Sequence, residues 1–273
     1  MSDVITRFAP APTGYLHLGH VRNAQYVWDF ARAHGGRVLL RIEDHDRQRC
    51  RPEYEAAILE DLAWLGFVPD EVVPRQSERD QAYRDVLAGL VSRGLVYGCT
   101  CTRSQLQAAD VGRPALQGRR CTCRDRAIAL TDDVNWRVRI APGVEAFTDL
   151  LCGFQQQEPA LQCGDLLIRD RLGNWTYQWA ATIDDVLQGV THVIRGVDLL
   201  DSTGRQIQLA RLAGRSTPAT FMHHPLIMKS PSQKLSKSDG DTGVRDLRAA
   251  GMTPAMVIGL SAVTVPADPQ SRT

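Results

Sequence analysis

The chain has 273 residues, of which 43% are hydrophobic and 23% charged, enough for one large soluble domain or one domain carrying an insertion. With 32 Lys and Arg against 31 Asp and Glu the formal net charge is +1, which argues against extensive non-specific gripping of a nucleic-acid backbone and leaves room for a local basic patch. No run approaches the roughly 18 consecutive apolar residues of a membrane span, and the start, Met1-Ser2-Asp3-Val4-Ile5-Thr6, has neither the basic region nor the apolar run of a secretory signal; a cytoplasmic protein is expected.

Residues 4–9 read as a short strand, broken by a loop with Pro10, Pro12 and Gly14. Helical spacing follows over 18–33, with Val21, Ala24, Val27, Trp28 and Ala31 on one face, ended by Gly35-Gly36. The apolar run 38–42 is a buried strand. Strand, glycine-containing loop, helix, strand is the first unit of a nucleotide-binding α/β sheet. Pro52 opens a second helix with Ile58, Leu62 and Leu65 on one face, and a third is expected over 78–93. From about 96 to 173 the pattern changes to cysteines, arginines, turns and two strand candidates, 136–140 and 165–169. Here lies the densest cationic cluster, Arg113, Arg119, Arg120, Arg124 and Arg126. Regular α/β patterning resumes at 176–184, 191–194 and 203–212, and a short helix is expected near 254–260. The fold class expected is therefore α/β, a Rossmann-like parallel-sheet domain split by an insertion. Its expected units are 1–95, the first half; 96–173, the insertion; 174–240, the second half; and 241–273, a helical remnant with a polar tail.

Two phosphate-handling motifs stand at opposite ends of this domain. His17 and His20, in His17-Leu18-Gly19-His20, are three residues apart at a helix start, where backbone N–H groups already favour an anion. Two imidazoles there can donate to charge developing on a phosphate, and Gly19 between them lets a base or ribose approach the backbone. Lys234 and Lys237, with Ser236 and Ser238, form a cationic loop able to close on a pyrophosphate. A lone motif of either kind is weak, since lysine-serine loops are common surface; the pair in this context is strong.

Six motifs in order carry a resemblance: Arg7-Phe8-Ala9-Pro10, Pro12-Thr13-Gly14, His17-Leu18-Gly19-His20, Arg41-Ile42-Glu43-Asp44-His45-Asp46, Val193-Ile194-Arg195-Gly196 and Lys234-Leu235-Ser236-Lys237. Together they resemble the class I glutamyl-tRNA synthetases, over nearly the whole chain to about Leu260. Within that family the short tail resembles a truncated branch that lacks the anticodon-binding domain and places glutamate on the queuosine base of tRNA(Asp). The resemblance implies L-glutamate, ATP with Mg²⁺ and queuosine-bearing tRNA(Asp) as partners, with a monomer expected. It implies a glutamate site of Arg7, Ala9, Ala11, Glu43, Tyr177 and Arg195. Pro10, Gly19, His20, Lys234, Ser236 and Lys237 are the implied ATP site, with His17, His20 and Lys237 stabilising the reacting phosphates.

Glutamate has two carboxylates and one ammonium. Arg7 and Arg195 can each fork onto a carboxylate, Glu43 can take the ammonium, and Tyr177 can add a hydroxyl. Which arginine holds which carboxylate stays open in the sequence, with Arg195 favoured for the side chain. A buried arginine there selects against the neutral amide of glutamine. Two departures stand out: Ala11 occupies a position where many relatives carry serine, and Ser238-Asp239-Gly240-Asp241 is acidic for a pyrophosphate loop.

Cys99-Thr100-Cys101 and Cys121-Thr122-Cys123 read as a tetrahedral Zn²⁺ site, one structural zinc per chain. Truncated relatives often carry Cys-x-Cys, a tyrosine and a later cysteine. No tyrosine lies between 98 and 176 here, so either Cys121 supplies the fourth ligand or three ligands remain. Cys50, Cys152 and Cys163 are expected to be ordinary buried residues, and an odd count of seven argues against a disulfide framework. The competing readings are a minimal synthetase charging a tRNA 3′ end, a nucleotidyltransferase acting on a small molecule, and a non-catalytic nucleotide-binding paralogue.

Overall fold

A computed structural model describes residues 3–102, 104–106, 121–230, 233–234 and 243–262. Strand β1 (Ile5–Phe8) leads through the proline loop into helix α1 (Leu18–Ala33), and β2 (Arg37–Leu40) returns parallel to β1 in the register Ile5 to Arg37. The turn between α1 and β2 needs glycine: a Cβ on Gly36 would lie 2.7 Å from the Val4 carbonyl oxygen. Helix α2 (Pro52–Leu65) starts on its proline, as pre-set φ and a missing N–H allow at a first turn. The short β3 (Glu71–Val72) adds to β2, and α3 (Asp80–Ser92) follows. Phe8, Val21, Trp28, Ile58 and Leu62 form the core between α1, α2 and this sheet.

Next come β4 (Val96–Cys99), β5 (Asn135–Val138), the hairpin β6 (Glu145–Asp149) with β7 (Gly153–Gln157), the short α4 (Pro159–Gln162) and β8 (Leu166–Arg169). Strands β4, β5 and β8 form an antiparallel sheet of their own. Its core includes Tyr83 of α3, Trp136, Ile168 and Trp175, closed by helix α5 (Tyr177–Leu187) through Trp179 and Ile183. Strand β9 (His192–Gly196), helix α6 (Thr203–Leu212) and strand β10 (Thr220–His224) complete the second half, with β9 and β10 parallel.

Not all of 96–173 stays in the antiparallel sheet. The β6–β7 hairpin, unanticipated in the sequence, joins the parallel strands in the order β7-β6-β10-β9. Strand β1 runs beside β9, where the Thr191 N–H donates to the Ile5 carbonyl at 2.8 Å. The ends of the chain's two halves therefore meet at β1 and β9, the switch point where an open α/β sheet places its ligand.

Strands β11 (Met228–Ser230) and β12 (Gln233–Lys234) form a small hairpin, and helices α7 (Val244–Ala249) and α8 (Pro254–Ala262) follow. Far from a loose remnant, α8 packs on α1, with Val257 fully buried in the same core as Val21. All seven cysteines are unbridged. Cys50, Cys152 and Cys163 are half-buried, not buried as expected, because each lies at a loop or helix end where one side meets solvent.

Candidate active site

A cavity of ≈ 370 Å³ opens at the β1–β9 junction. Its walls bring together eight residues expected from the sequence: Arg7 and Ala9 from β1 and its loop, His17, Gly19 and His20 from the start of α1, Glu43 after β2, Tyr177 at the start of α5 and Arg195 of β9. Pro10 and Ala11 do not line it. The Pro10 carbonyl instead accepts the Glu43 N–H at 3.0 Å, tying the two loops, and the Ala11 carbonyl accepts from Thr13 at 2.8 Å. Of the lysine loop, only the backbone of Lys234 is described; Ser236 and Lys237 lie outside the described residues, as do Arg113, Arg119 and Arg120 of the cationic cluster. The described residues flanking it are anchored, Lys234 paired with Met228 and Gly243 bridged to His17.

The paired histidines act as the helix cap. His17 Nδ1 accepts from the Gly19 N–H at 3.0 Å, and His20 Nδ1 accepts from the His17 N–H at 3.1 Å. A neutral imidazole that accepts at Nδ1 carries its proton at Nε2. Both rings, 3.9 Å apart between centroids, are thereby held as Nε2–H donors at the cavity wall. Gly19 has a second reason beyond the one the sequence suggests: a Cβ there would meet His17 Cε1 at 2.8 Å and displace the ring.

The two arginines differ in their charge partners. Arg7 Nε donates to Asp185 at 3.0 Å, and its Nη1 to the Ile194 carbonyl at 3.2 Å. Asp185 also accepts from Arg41 at 2.8 Å, while Arg41 reaches Glu43 at 3.0 Å, so Glu43 is aimed by a fully buried cation. Burial pushes the Asp185 carboxyl up, but Arg7 and Arg41 together hold it below the usual range. Arg195, only 4% exposed, donates to neutral groups: to His223 from Nε at 2.9 Å, to Gln206 from Nη1 at 2.6 Å, and to the Leu199 carbonyl and Thr203 hydroxyl from Nη2 at 3.3 and 2.9 Å. Among the described residues no carboxylate is in ion-pair contact with it. Burial accordingly lowers its pKa, and burial raises that of Tyr177 beside it. A buried guanidinium without a counter-ion is costly unless a ligand supplies the anion.

The sequence reading missed the residues behind this wall. Asp184, Asp185, Arg41, Gln206 and His223 are buried polar groups, and Asn23 and His224 line the cavity themselves, bonded to each other at 3.1 Å. The signal available was two consecutive acids in the apolar run of α5 and two consecutive histidines closing β10. Arg22, also missed, is buried in α1 and links α8 to the cavity, donating to the Ser261 carbonyl at 2.7 Å and the Leu226 carbonyl at 3.2 Å.

Some distance away, the sulfurs of Cys99, Cys101, Cys121 and Cys123 all lie within 4.8 Å of one another. Cys101 is 3.7 Å from Cys121 and 3.5 Å from Cys123, near the edge of an S₄ tetrahedron around an ion at about 2.3 Å from each sulfur, and Cys99 and Cys121 are closer, at 3.1 Å. Four thiolates, with no tyrosine among them, fit a zinc ion.

Fold and cavity together define the class I synthetase architecture: a parallel α/β sheet with its ligand cavity where two halves of the sheet meet. Residues 3–264 match the family described as tRNA synthetases class I (E and Q), catalytic domain, and the chain belongs to that family of ligases. It is 44% identical to the glutamyl-Q tRNA(Asp) synthetase of Symbiobacterium thermophilum, over 93% of this chain and 84% of that protein. The enzyme of the same name from Rhodobacter capsulatus is 40% identical, with 92% and 97% covered. A crystal structure of a glutamate tRNA ligase from Elizabethkingia meningosepticum, in complex with its amino acid, superimposes with a TM-score of 0.79 at 29% identity. That match covers 96% of this chain and 61% of the ligase, so the chain spans under two thirds of that protein's length. Among the described residues no helix is long and apolar enough to cross a membrane.

Proposed function

We propose that the chain activates L-glutamate with ATP and transfers it to the queuosine base at the wobble position of tRNA(Asp). One observation carries the amino-acid part: Arg195 is a buried cation that forms no ion pair among the described residues, facing a cavity that also holds Arg7, Glu43 and Tyr177. On this reading Arg195 receives the side-chain carboxylate, Glu43 the ammonium, and Arg7 steers the α-carboxylate with its charge already balanced by Asp185. The α-carboxylate oxygen attacks the α-phosphorus of ATP, a new P–O bond forms, and the bond to pyrophosphate breaks. His17 and His20 donate from Nε2 to the phosphate oxygens as negative charge builds, and Lys237 neutralises the departing pyrophosphate. Magnesium bound with ATP would supply further charge neutralisation. The protein contributes placement and electrostatics and no covalent nucleophile.

In the second step a hydroxyl of the RNA attacks the adenylate carbonyl and AMP leaves. The choice of queuosine in tRNA(Asp) rests on the likeness to the glutamyl-Q tRNA(Asp) synthetases at 44% and 40% identity. Zinc, held by Cys99, Cys101, Cys121 and Cys123, would cross-link a region with a small core of its own. The reading also keeps units at 1–95, 96–173, 174–240 and 241–273, with the β6–β7 hairpin as the tie between the second and third.

The test is glutamate-dependent ATP–pyrophosphate exchange, followed by acylation of tRNA(Asp) with and without queuosine and of tRNA(Glu). Exchange with glutamate but not glutamine, loss of exchange in Lys237→Ala, and acylation only of queuosine-bearing tRNA(Asp) are expected. Absent exchange, or unaltered exchange in Lys237→Ala, refutes the activation step; 3′-end charging of tRNA(Glu) would instead favour a minimal synthetase.

A further inference from the structure

Beneath Arg195 lies a chain of buried groups that the activation chemistry does not use directly. We propose that Asp149 and His223 form a positioning pair that fixes the imidazole tautomer, and through it aims the Arg195 guanidinium at the side-chain carboxylate of the amino acid. The inference rests on the glutamate reading of the cavity for its functional consequence, and on geometry alone for the pair itself.

Arg195 Nε always carries a hydrogen, so its 2.9 Å contact with His223 Nε2 requires a lone pair on that nitrogen. The Thr203 hydroxyl also lies 3.2 Å from Nε2. The ring proton therefore sits on Nδ1, which donates to Asp149 Oδ2 at 2.6 Å. The other carboxylate oxygen, Oδ1, accepts the N–H groups of Leu151 at 3.0 Å, Cys152 at 2.8 Å and His223 at 3.2 Å. Asp149 is thus clamped at the end of the β6–β7 hairpin, and it can only accept. Asp149 and His223 are 2% and 1% exposed, so neither reorients through solvent.

The imidazole acts as a spacer. A carboxylate in direct contact with Arg195 would neutralise it and compete with the ligand's own carboxylate. One ring further away, Asp149 polarises the imidazole and lends negative potential to a buried cation without placing a carboxylate on the guanidinium itself. The His223 pKa, pushed down to about 4 by burial first and by Arg195 second, keeps the ring neutral across the working range. Neither residue touches substrate; each acts through Arg195.

The tautomer gives the test. In Asp149→Asn the amide can donate to Nδ1, driving the ring proton to Nε2, where it opposes the Arg195 N–H. His223→Leu removes the acceptor, whereas His223→Gln restores an acceptor near the Nε2 position. The expected result is a rise of about ten- to a hundredfold in glutamate KM for Asp149→Asn and His223→Leu, with ATP KM unchanged and kcat altered far less. His223→Gln should recover most of the loss. ¹⁵N NMR of the wild-type imidazole should show the Nδ1–H form, switching to Nε2–H in Asp149→Asn. Unchanged glutamate KM in the folded variants, parallel losses for ATP and glutamate, or a wild-type ring protonated at Nε2 would each overturn the proposal. Should the wild type show no glutamate-dependent exchange, the function reading fails separately, and the ring spectrum still decides whether Asp149 sets the tautomer.

Discussion

Arg195→Gln separates binding from folding more sharply than any other single change in the cavity. Arg195 is 4% exposed and, among the described residues, hydrogen-bonded to neutral groups, so in the unliganded protein no ion pair offsets its burial. A neutral amide removes that burden, of order several kcal/mol, and forfeits hydrogen bonds of about 1–3 kcal/mol each to His223, Gln206 and Thr203. The two effects oppose, and the unliganded melting temperature should stay within a few degrees of wild type, about 2–4 °C per kcal/mol for a domain of this size. Glutamate binding has no such compensation. Losing a charge-assisted contact of about 3–5 kcal/mol to a buried cation raises glutamate KM by roughly two to four decades. Asp185→Asn is the destabilising control: it takes the ion-pair partner from Arg7 at 3.0 Å and one of the carboxylates around Arg41 at 2.8 Å, and should cost about 3–5 kcal/mol, a fall on the order of 10 °C. Calorimetry and pyrophosphate exchange on both variants decide the matter. If Arg195→Gln unfolds as Asp185→Asn does, while the surviving protein keeps wild-type glutamate KM, the assignment of Arg195 as an unpaired anion receptor is wrong.

Gly19→Ala should lower kcat about a hundredfold, since its Cβ meets His17 Cε1 at 2.8 Å, with little change in glutamate KM; equal activity to wild type would remove the paired-imidazole argument. Metal analysis should find one zinc per chain, lost in Cys101→Ser, and a strong chelator should weaken near-ultraviolet signals from Trp136 and Trp175; a metal-free, chelator-insensitive protein would count against the site. Asp61, fully buried in α2 with neither oxygen hydrogen-bonded, has its carboxyl pushed up to about 6, by burial foremost. Its folded form holds the proton more tightly than the unfolded chain, at about 3.9, so its stability contribution is complete below pH ~4 and lost as pH rises through about 6. Asp61→Asn should therefore stabilise by about 1–3 kcal/mol at pH 7.5, the gain vanishing near pH 4, as thermal melts across that range would show.

Much of the cavity was legible because its residues sit in short contiguous motifs. Arg7, His17, His20 and Glu43 fall at the ends of a strand, a helix and a strand that local periodicity already marks, and Tyr177 and Arg195 open and line the matching elements of the second half. What escaped notice is the support behind them. Asp185 is 178 residues from Arg7 and 144 from Arg41, and Asp149 is 74 from His223. No local pattern couples such positions, and an isolated buried Asp reads as any other polar residue until its partner is placed. The β6–β7 hairpin was missed for a related reason: Phe154 and Leu151 are exposed, so its alternation is too weak to announce a strand, and pairing with β10 holds it.

By itself the sequence determined the chemistry available: two imidazoles, a lysine loop, two arginines, an acid and a tyrosine in family order, and four cysteines in two close pairs. Local periodicity and chain stiffness suffice for that, because each motif lies within one turn or one strand. Only the tertiary structure decided how the two arginines differ. Arg7 of β1 forms an ion pair with Asp185 of α5, whereas Arg195 bonds neutral groups among the described residues and has the Asp149 carboxylate held one imidazole away. The difference between a paired and an unpaired buried cation is a matter of a few ångströms between distant segments, which folding alone brings together.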